Sequence, residues 1–391
     1  MKIAINGVGI AGPTLAYWLR RFGHEPVLFE RAPSARSGGY VIDFWGLGFE
    51  IAERMSLVPV LLSRCYRMRR LSMVDVDGKE VAGLNIDAVR EQLDGRFISL
   101  ARADLAAVLL SACDGVEMHF GVSIVSIVHD AAGVTALLSD RRRERFDLVV
   151  GADGLHSRIR ELAFGPERRV EVPLGCHVAA FRMPGYPKRD DLTYVSHTVR
   201  SRQAGRVSLH DDDTLALLIC RSDLVDGGPP NEPHVACLRR VFGGMRWEVP
   251  DMLDRMEHAD DLYFDRVSQI HLPRWTSGRV TLVGDAAACA SLLAGEGTGL
   301  AMIEAYVLAG ELHRAGADVA RASAAYEARL RALVAAKQKA ALGLRQFFAP
   351  RTALALWLRN LAVNALSLPV VGRHILARSL RDDFVLPDYG G

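Results

Sequence analysis

The chain has six cysteines among 391 residues, with no C-x-x-C pair and no regular spacing. Cys65, Cys113, Cys176, Cys220, Cys237 and Cys289 therefore suit neither a disulfide framework nor a zinc site. They are expected as buried free thiols, and the protein as cytoplasmic. There is no H-E-x-x-H and no G-x-S-x-G, which removes the zinc-protease and nucleophile-elbow chemistries. An excess of one charge is also lacking: 48 Lys and Arg against 46 Asp and Glu leave +2, so no nucleic-acid partner is expected. Local runs such as Arg141-Arg142-Arg143 read as solvated turns or hairpin edges. The N-terminal MKIAINGVGIAG is too short and glycine-broken for a signal peptide. The one membrane-like stretch, TALALWLRNLAVNALSLPVV from Thr352 to Val371, carries Arg359 near its middle and Pro369 near its end. It is a poor spanning helix. We read it as a helix packed on the body with no membrane partner, contact with a membrane surface being the lesser alternative.

What is present begins at the first residues. KIAIN reads as a strand, Gly7-Val8-Gly9-Ile10-Ala11-Gly12 as a turn, and PTLAYWLRRFG as a helix with Leu15, Trp18 and Leu19 on its apolar face. A second strand, PVLFER, ends on Glu30, eighteen residues past Gly12. Each glycine has a physical task in such a unit: Gly7 permits the turn, Gly9 admits a pyrophosphate, and Gly12 lets helix and strand pack closely. The helix N-terminus, at Ile10 and Ala11, supplies free N–H groups to phosphates. Glu30 can hydrogen-bond ribose hydroxyls, which suits NAD or FAD and disfavours NADP at this site.

Two further segments have the same texture. DLVVGADG, from Asp147 to Gly154, is a buried strand ending in a turn, with His156-Ser157-Arg158 opening a helix. RVTLVGD, from Arg279 to Asp285, runs into a loop of tiny residues, AAACASLLAGEGTG, and a helix from Gly299 to Leu312. Few side chains in that loop could form a core. At 391 residues there is room for two domains, or for one large α/β domain with an inserted sheet.

The combination resembles the class A FAD-dependent monooxygenases of the para-hydroxybenzoate hydroxylase fold, and within them the tetracycline-inactivating and antibiotic-tailoring branch. The residues that carry the resemblance are Gly7 to Gly12 with Glu30-Arg31, then Gly38-Gly39-Tyr40-Val41-Ile42-Asp43, then Arg102-Ala103-Asp104-Leu105. The segment 147–160 follows, and finally Trp275 to Gly299 leading into Glu304-Ala305. The likeness is thin over 170–265. It implies an α/β fold: a Rossmann-like FAD-binding domain (1–70, 100–170 and 271–330) with an inserted antiparallel-sheet substrate domain (71–99 and 171–270). A C-terminal helical region (331–391) would complete the chain.

The resemblance implies FAD as cofactor, NAD(P)H and molecular oxygen as co-substrates, and a small aromatic or polycyclic substrate. It further implies that reduced flavin captures oxygen as a C4a-hydroperoxide, which an electron-rich ring attacks. Asp285 would accept from a ribityl hydroxyl. The loop 293–297, with Gly295 and Gly297, would set N–H groups against the flavin N1–C2=O edge, where reduction places negative charge. Arg102 would reach the flavin chain or pyrophosphate as a fixed cation. Arg36 and Asp43 would flank the flavin's mobile side. Asp285 as a plain helix cap, and Asp153 and Arg158 as servants of their own turn, are the local alternatives.

Between the cofactor segments, HVAAFRM, LTYVSHTVR, RVSLH and TLALLIC read as an antiparallel sheet, with LSMVDVDGKEVAGL near 71–84 joining it. His177, Phe181, Tyr194, His197 and His210 are its pocket candidates. No general base or other catalytic residue is assigned. The chain departs from the commoner family pattern at Ala288, where histidine is frequent, at Leu292, where proline is, and at Glu296, where glutamine is. That smaller, greasier wall suggests a bulky or apolar polycyclic substrate. Two alternatives stand beside the hydroxylase: an oxygen-independent flavin reductase or dehydrogenase of the same fold, and a non-catalytic FAD-binding regulator. A halogenase is disfavoured, since no W-x-W-x-I-P segment occurs. The protein is expected as a monomer or homodimer.

Overall fold

A computed structural model describes residues 1–35, 40–130, 133–187, 189–209, 213–316, 318–368 and 384–390. Its first sheet has six strands in the order Thr276–Ser277, Val280–Leu282, Leu148–Gly151, Lys2–Asn6, Glu25–Glu30 and Glu117–Phe120. All neighbours are parallel except the Thr276–Ser277 hairpin. Parallel strands are covered on both faces, so they read as unbroken apolar runs; Ile3, Leu28, Val149 and Leu282 are fully or almost fully buried. The helix Ala11–Arg21 crosses from the first strand to the second and buries Leu15, Trp18 and Leu19. Lys2–Asn6 pairs with Glu25–Glu30 on one side and Leu148–Gly151 on the other. The chain direction of travel reverses there, and the crevice beyond the strands' carboxyl ends is the place where such sheets bind ligands.

The second large sheet has seven strands: Tyr263–Ile270, Glu171–Arg182, Thr214–Arg221, Arg202–Ser208, Thr193–Val199, Arg70–Val74 and Glu80–Asn85. It departs from the antiparallel expectation at one pair. Arg70–Val74 joins Thr193–Val199 in parallel, because the hairpin arrives from a distant part of the chain and no tight turn fixes its direction. Side chains alternate across this sheet. One face, with Ala179, Phe181, Ala204 and Leu218, packs beneath the helices His234–Phe242 and Val249–Met256. The other face carries Tyr194, Val207, Leu209 and Leu215, clustered with Tyr40, Val41 and Ala101. A short pair, Val41–Trp45 with Phe97–Ala101, belongs to neither large sheet.

Three long helices complete the described chain. Gly297–Ala315 packs against Ala11–Arg21 and Gly46–Arg54, Val319–Ala341 lies against it, and Ala353–Leu366 lies on the edge strand Glu80–Asn85. The tail Phe384–Gly390 docks on Gly297–Ala315: Tyr389 donates to Glu311 Oε1 at 2.7 Å, and Tyr306 donates to the Pro387 carbonyl at 2.9 Å. All six cysteines are buried and free. No group of described residues could hold a metal ion, and no described helix is long and apolar enough to cross a membrane.

Candidate functional site

The turn after the first strand shows why its glycines differ. Gly7 has φ +117°, and a Cβ there would stand 2.4 Å from the Ala152 carbonyl oxygen. A Cβ on Gly12 would lie 2.0 Å from the Gly7 oxygen. Both positions are closed by packing. Gly9 is not: the nearest atom to its missing side chain is Arg102 Nη2, at 3.7 Å. Its bare face opens on the crevice with a guanidinium beside it. Ile10 and Ala11 are buried at the helix start, where no side chain caps the free N–H groups. Glu30 accepts from the Val8 and Ala32 amides, both at 3.0 Å, so its carboxylate braces the glycine turn. Arg31 is exposed.

The third cofactor segment meets this turn directly. Gly284 has φ +65° and stands where a Cβ would touch the Ala11 methyl at 3.2 Å. Asp285 follows as the first residue of a single helical turn whose N-cap is Gly284, and its carboxyl meets the Cys289 thiol. Burial pushes its carboxyl above the usual range, with the Arg102 guanidinium opposing. Its Oδ1 lies 3.7 Å from the position a Gly297 Cβ would take. The uncapped N-terminus of the 19-residue helix Gly297–Ala315 therefore opens beside Asp285. Among the glycines at 295, 297 and 299 the duties divide. Gly295 takes φ +69°, and Gly297 faces the crevice. Gly299 packs against Gly48, where an added Cβ on the latter would meet the Gly299 Cα at 2.5 Å.

Two residues that lie in the family-like segments but were given no role from the sequence hold this loop in place. Arg160, fully buried, donates to the Ala286 carbonyl at 3.2 Å and the Leu155 carbonyl at 2.5 Å, and pairs with Glu167. It ties the 153–160 turn to the loop after Asp285. The clue was its spacing, three residues beyond the cap Ser157, whereas neighbouring Arg158 only reaches the exposed Glu161. Glu304, also fully buried, accepts from the Gly284 amide at 2.5 Å and from Tyr326 at 3.4 Å. Burial raises its carboxyl well above the usual range, against the lowering effect of the Gly284 amide. Asp153 spends its carboxylate locally, on Asn6, Ser157 and the amides of Arg158 and Ile159.

Asp43 accepts from Ser99 and lines a cavity of about 30 Å³ with Trp45, Gly295, Glu296 and Lys337. Lys337 pairs with Glu296 at 2.8 Å. Arg36 and His210 lie outside the described residues. On the opposite wall, Tyr40 and Tyr263 stand with ring centroids 6.2 Å apart. The Tyr40 hydroxyl is within electrostatic reach of Arg102, Asp285 and Cys289. Tyr194 belongs to the same wall, lying over Gly205.

Phe181 and His197 do not line the crevice. Strand alternation turns Phe181 under the covering helices, and His197 is buried with Nδ1 3.0 Å from the Val74 carbonyl and its ring near Trp247. His177 contacts Ser222 and stacks on Phe264, away from the cofactor loops. Ala288 is also withdrawn: its methyl is buried in the main core, so it offers no wall to a ligand. Leu292 packs beside Tyr263 and Phe348.

A second network runs from the aromatic wall. Tyr263 donates to Asp265 Oδ2 at 3.3 Å, His156 Nε2 lies 3.0 Å from the same oxygen, and His156 Nδ1 lies 2.9 Å from Glu167. The Asp265 hydrogen bond, with Glu167 behind it, raises His156 to about 9. The imidazolium joins the sheet strand Tyr263–Ile270 to the turn that Arg160 fastens.

The donor set suits FAD. It has a bare-backbone turn at a helix N-terminus, a guanidinium at Arg102 without a hydrogen-bond partner among the described residues, a buried carboxyl at Asp285, and a second helix N-terminus at Gly297. Known proteins agree. The family described as FAD binding domain matches residues 90–338. A flavin-dependent monooxygenase of Legionella longbeachae is 34% identical over 355 residues, covering 89% of this chain and 90% of that protein. The crystal structure of the tetracycline destructase Tet(51) superposes with a TM-score of 0.84 at 29% identity, covering 99% of both chains. Klebsiella pneumoniae HpxO, complexed with FAD and uric acid, shares the fold at a TM-score of 0.76 and 19% identity, covering 97% of this chain and 96% of that one. With Arg102 and Asp285 brought to one crevice inside the matched span, the chain belongs to the FAD-binding flavoprotein monooxygenases.

Proposed function

We propose that the protein consumes NAD(P)H and molecular oxygen to hydroxylate an aromatic or polycyclic small molecule lying between the cofactor crevice and the inner face of the seven-stranded sheet. The observation that carries this reading is the meeting of Arg102, Asp285 and the Gly297 helix start opposite a wall of Tyr40, Tyr194 and Tyr263. Bound FAD would supply hydride acceptance and oxygen activation. The chain's own residues bind and orient. Arg102 offers a fixed positive charge at Gly9, Asp285 accepts from the cofactor's sugar chain, and the Gly297–Ala315 N-terminus favours negative charge at its opening. The aromatic wall excludes water, which strengthens each of these interactions. Tyr40 lines the space between the cofactor crevice and the sheet together with Val41, Leu209 and Leu215.

A polycyclic substrate is favoured by the full-length likeness to a tetracycline destructase and by the apolar lining of Tyr40, Val41, Leu209 and Leu215. Ala288 no longer contributes to that argument. The test is anaerobic titration of the purified flavoprotein with NADH and NADPH, followed by oxygen uptake with phenols and tetracyclines. Bleaching by one nicotinamide, then uptake matched by a product one oxygen heavier, is the expected result. Bleaching without oxygen incorporation would indicate the reductase reading, and no bleaching at all a non-catalytic flavin binder.

A further inference from the structure

The helix Ala353–Leu366 is packed inside out. The buried residues of this helix are Arg359 and Val363. Arg359 donates to Thr198 Oγ1 at 3.0 Å and to the Phe347 carbonyl at 3.2 Å, without an acidic partner among the described residues. Asn364 accepts from the Gly83 amide at 3.3 Å and donates to the Val81 carbonyl at 3.1 Å, and Ser367 reaches the Gly83 carbonyl. The cause is the edge strand Glu80–Asn85, whose outer N–H and C=O groups need partners that a leucine cannot supply. The polar residues are therefore spent inward, and the leucines are left outside.

Leu354, Trp357, Leu358 and Leu361 are 65%, 59%, 50% and 52% exposed. Their spacing of i, i+3, i+4 and i+7 makes one continuous stripe. Leu342 and Leu368, at 55% and 56%, extend the apolar surface along the chain at either side. Scattered single leucines need no explanation, but a stripe of this kind with a tryptophan marks an interaction face.

Charge identifies its occupant. From 328 to 381 the sequence has ten Lys or Arg and not one Asp or Glu, in a chain whose whole net charge is +2. Among the described residues, Lys339 and Arg345 are exposed with no acidic partner, and the exposed Arg351 pairs with Asp223 at 3.2 Å. The short helix Leu344–Phe348, which carries Arg345, meets the inward side of Ala353–Leu366, where Arg359 donates to the Phe347 carbonyl. A second copy of this chain would meet the same basic border with its own, since a two-fold contact opposes identical patches. An anionic surface with an apolar layer beneath it satisfies both halves of the patch.

We propose that this face docks reversibly on an anionic lipid surface. Leu354, Trp357, Leu358 and Leu361 enter the headgroup–acyl boundary, and Lys339 and Arg345 meet the lipid phosphates. The experiment is flotation of the FAD-loaded, full-length protein with vesicles of phosphatidylcholine, with and without a quarter of phosphatidylglycerol. The wild type is expected to float with the anionic vesicles and much less with neutral ones, the difference shrinking in high salt. Leu354→Gln/Leu358→Gln is expected to lower the bound fraction by about tenfold, and Lys339→Glu/Arg345→Glu to abolish the lipid-charge dependence. Both pairs are exposed and outside the cofactor crevice, so bound flavin absorbance confirms that each variant is folded. Failure of the wild type to float overturns the proposal, as does equal floating of the leucine variant. A concentration-dependent dimer lost in the leucine variant, with no vesicle binding, would assign the face to a second copy instead.

Discussion

Asp285 sits where burial raises its carboxyl, with the Arg102 guanidinium, the Cys289 thiol and the Arg160 guanidinium opposing the rise. A carboxylate buried there is unfavourable to the empty fold and available to a ligand. Asp285→Ala is therefore expected to weaken FAD binding by roughly 10- to 100-fold, the worth of a hydrogen bond to a charged group. The same change should leave the melting temperature of the flavin-free protein unchanged or slightly raised. Flavin fluorescence and calorimetry read the two effects separately, and a drop in apoprotein stability would assign Asp285 to the fold. Glu304 is its opposite. Glu304→Gln keeps an acceptor for the Gly284 amide and is expected to be tolerated, whereas Glu304→Leu removes that acceptor and should cost about 1–3 kcal/mol. Urea unfolding distinguishes the two variants.

At the scale of elements, the docked tail depends on one glycine in a helix. A Cβ on Gly310 would come within 2.1 Å of the Tyr389 ring, so the tail has a slot only because that side chain is missing. Gly310→Ala is expected to expel Tyr389 and lower stability despite the better helix propensity of alanine. Tyr389→Ala should cost about 3 kcal/mol through the lost ring and the lost bond to Glu311, with limited proteolysis releasing the C-terminal peptide in both variants. The sequence made some elements plain and hid others for physical reasons. Strands buried on both faces, such as KIAIN and LVVG, announce themselves by apolarity alone, and the first βαβ unit was readable down to the separate duties of its glycines. The face of a strand in the second sheet was not readable. Period two says that Phe181 and Tyr194 each have two faces to choose from, and only the covering helices decide. The bracing roles of Arg160 and Glu304 were hidden, although both lie in family-like segments, because a buried charged residue looks in sequence like any exposed one.

At the scale of the whole molecule, one imidazolium joins the two large sheets. His156 is raised to about 9 mainly by Asp265, then by Glu167. A base whose folded value is raised contributes stability that is complete below its ordinary value near 6.5. That contribution is lost as the pH climbs through about 9. Melting temperature is thus expected to fall across that window, and His156→Gln should flatten the fall; an unchanged slope would remove His156 from the account. Asp265, held low by the same pair, adds stability that disappears in acid. The two sheets are also interleaved along the chain. Val280–Leu282 closes beside Leu148–Gly151, and Arg70–Val74 waits for Thr193–Val199. A nascent chain leaving the ribosome has therefore made the hairpin 70–85 more than a hundred residues before its partner strand exists. Until then that hairpin has an open edge and an uncovered apolar face. Productive synthesis of this protein is a race between elongation and the self-association of that early hairpin, and slowing translation after residue 85 should send more of it into aggregates.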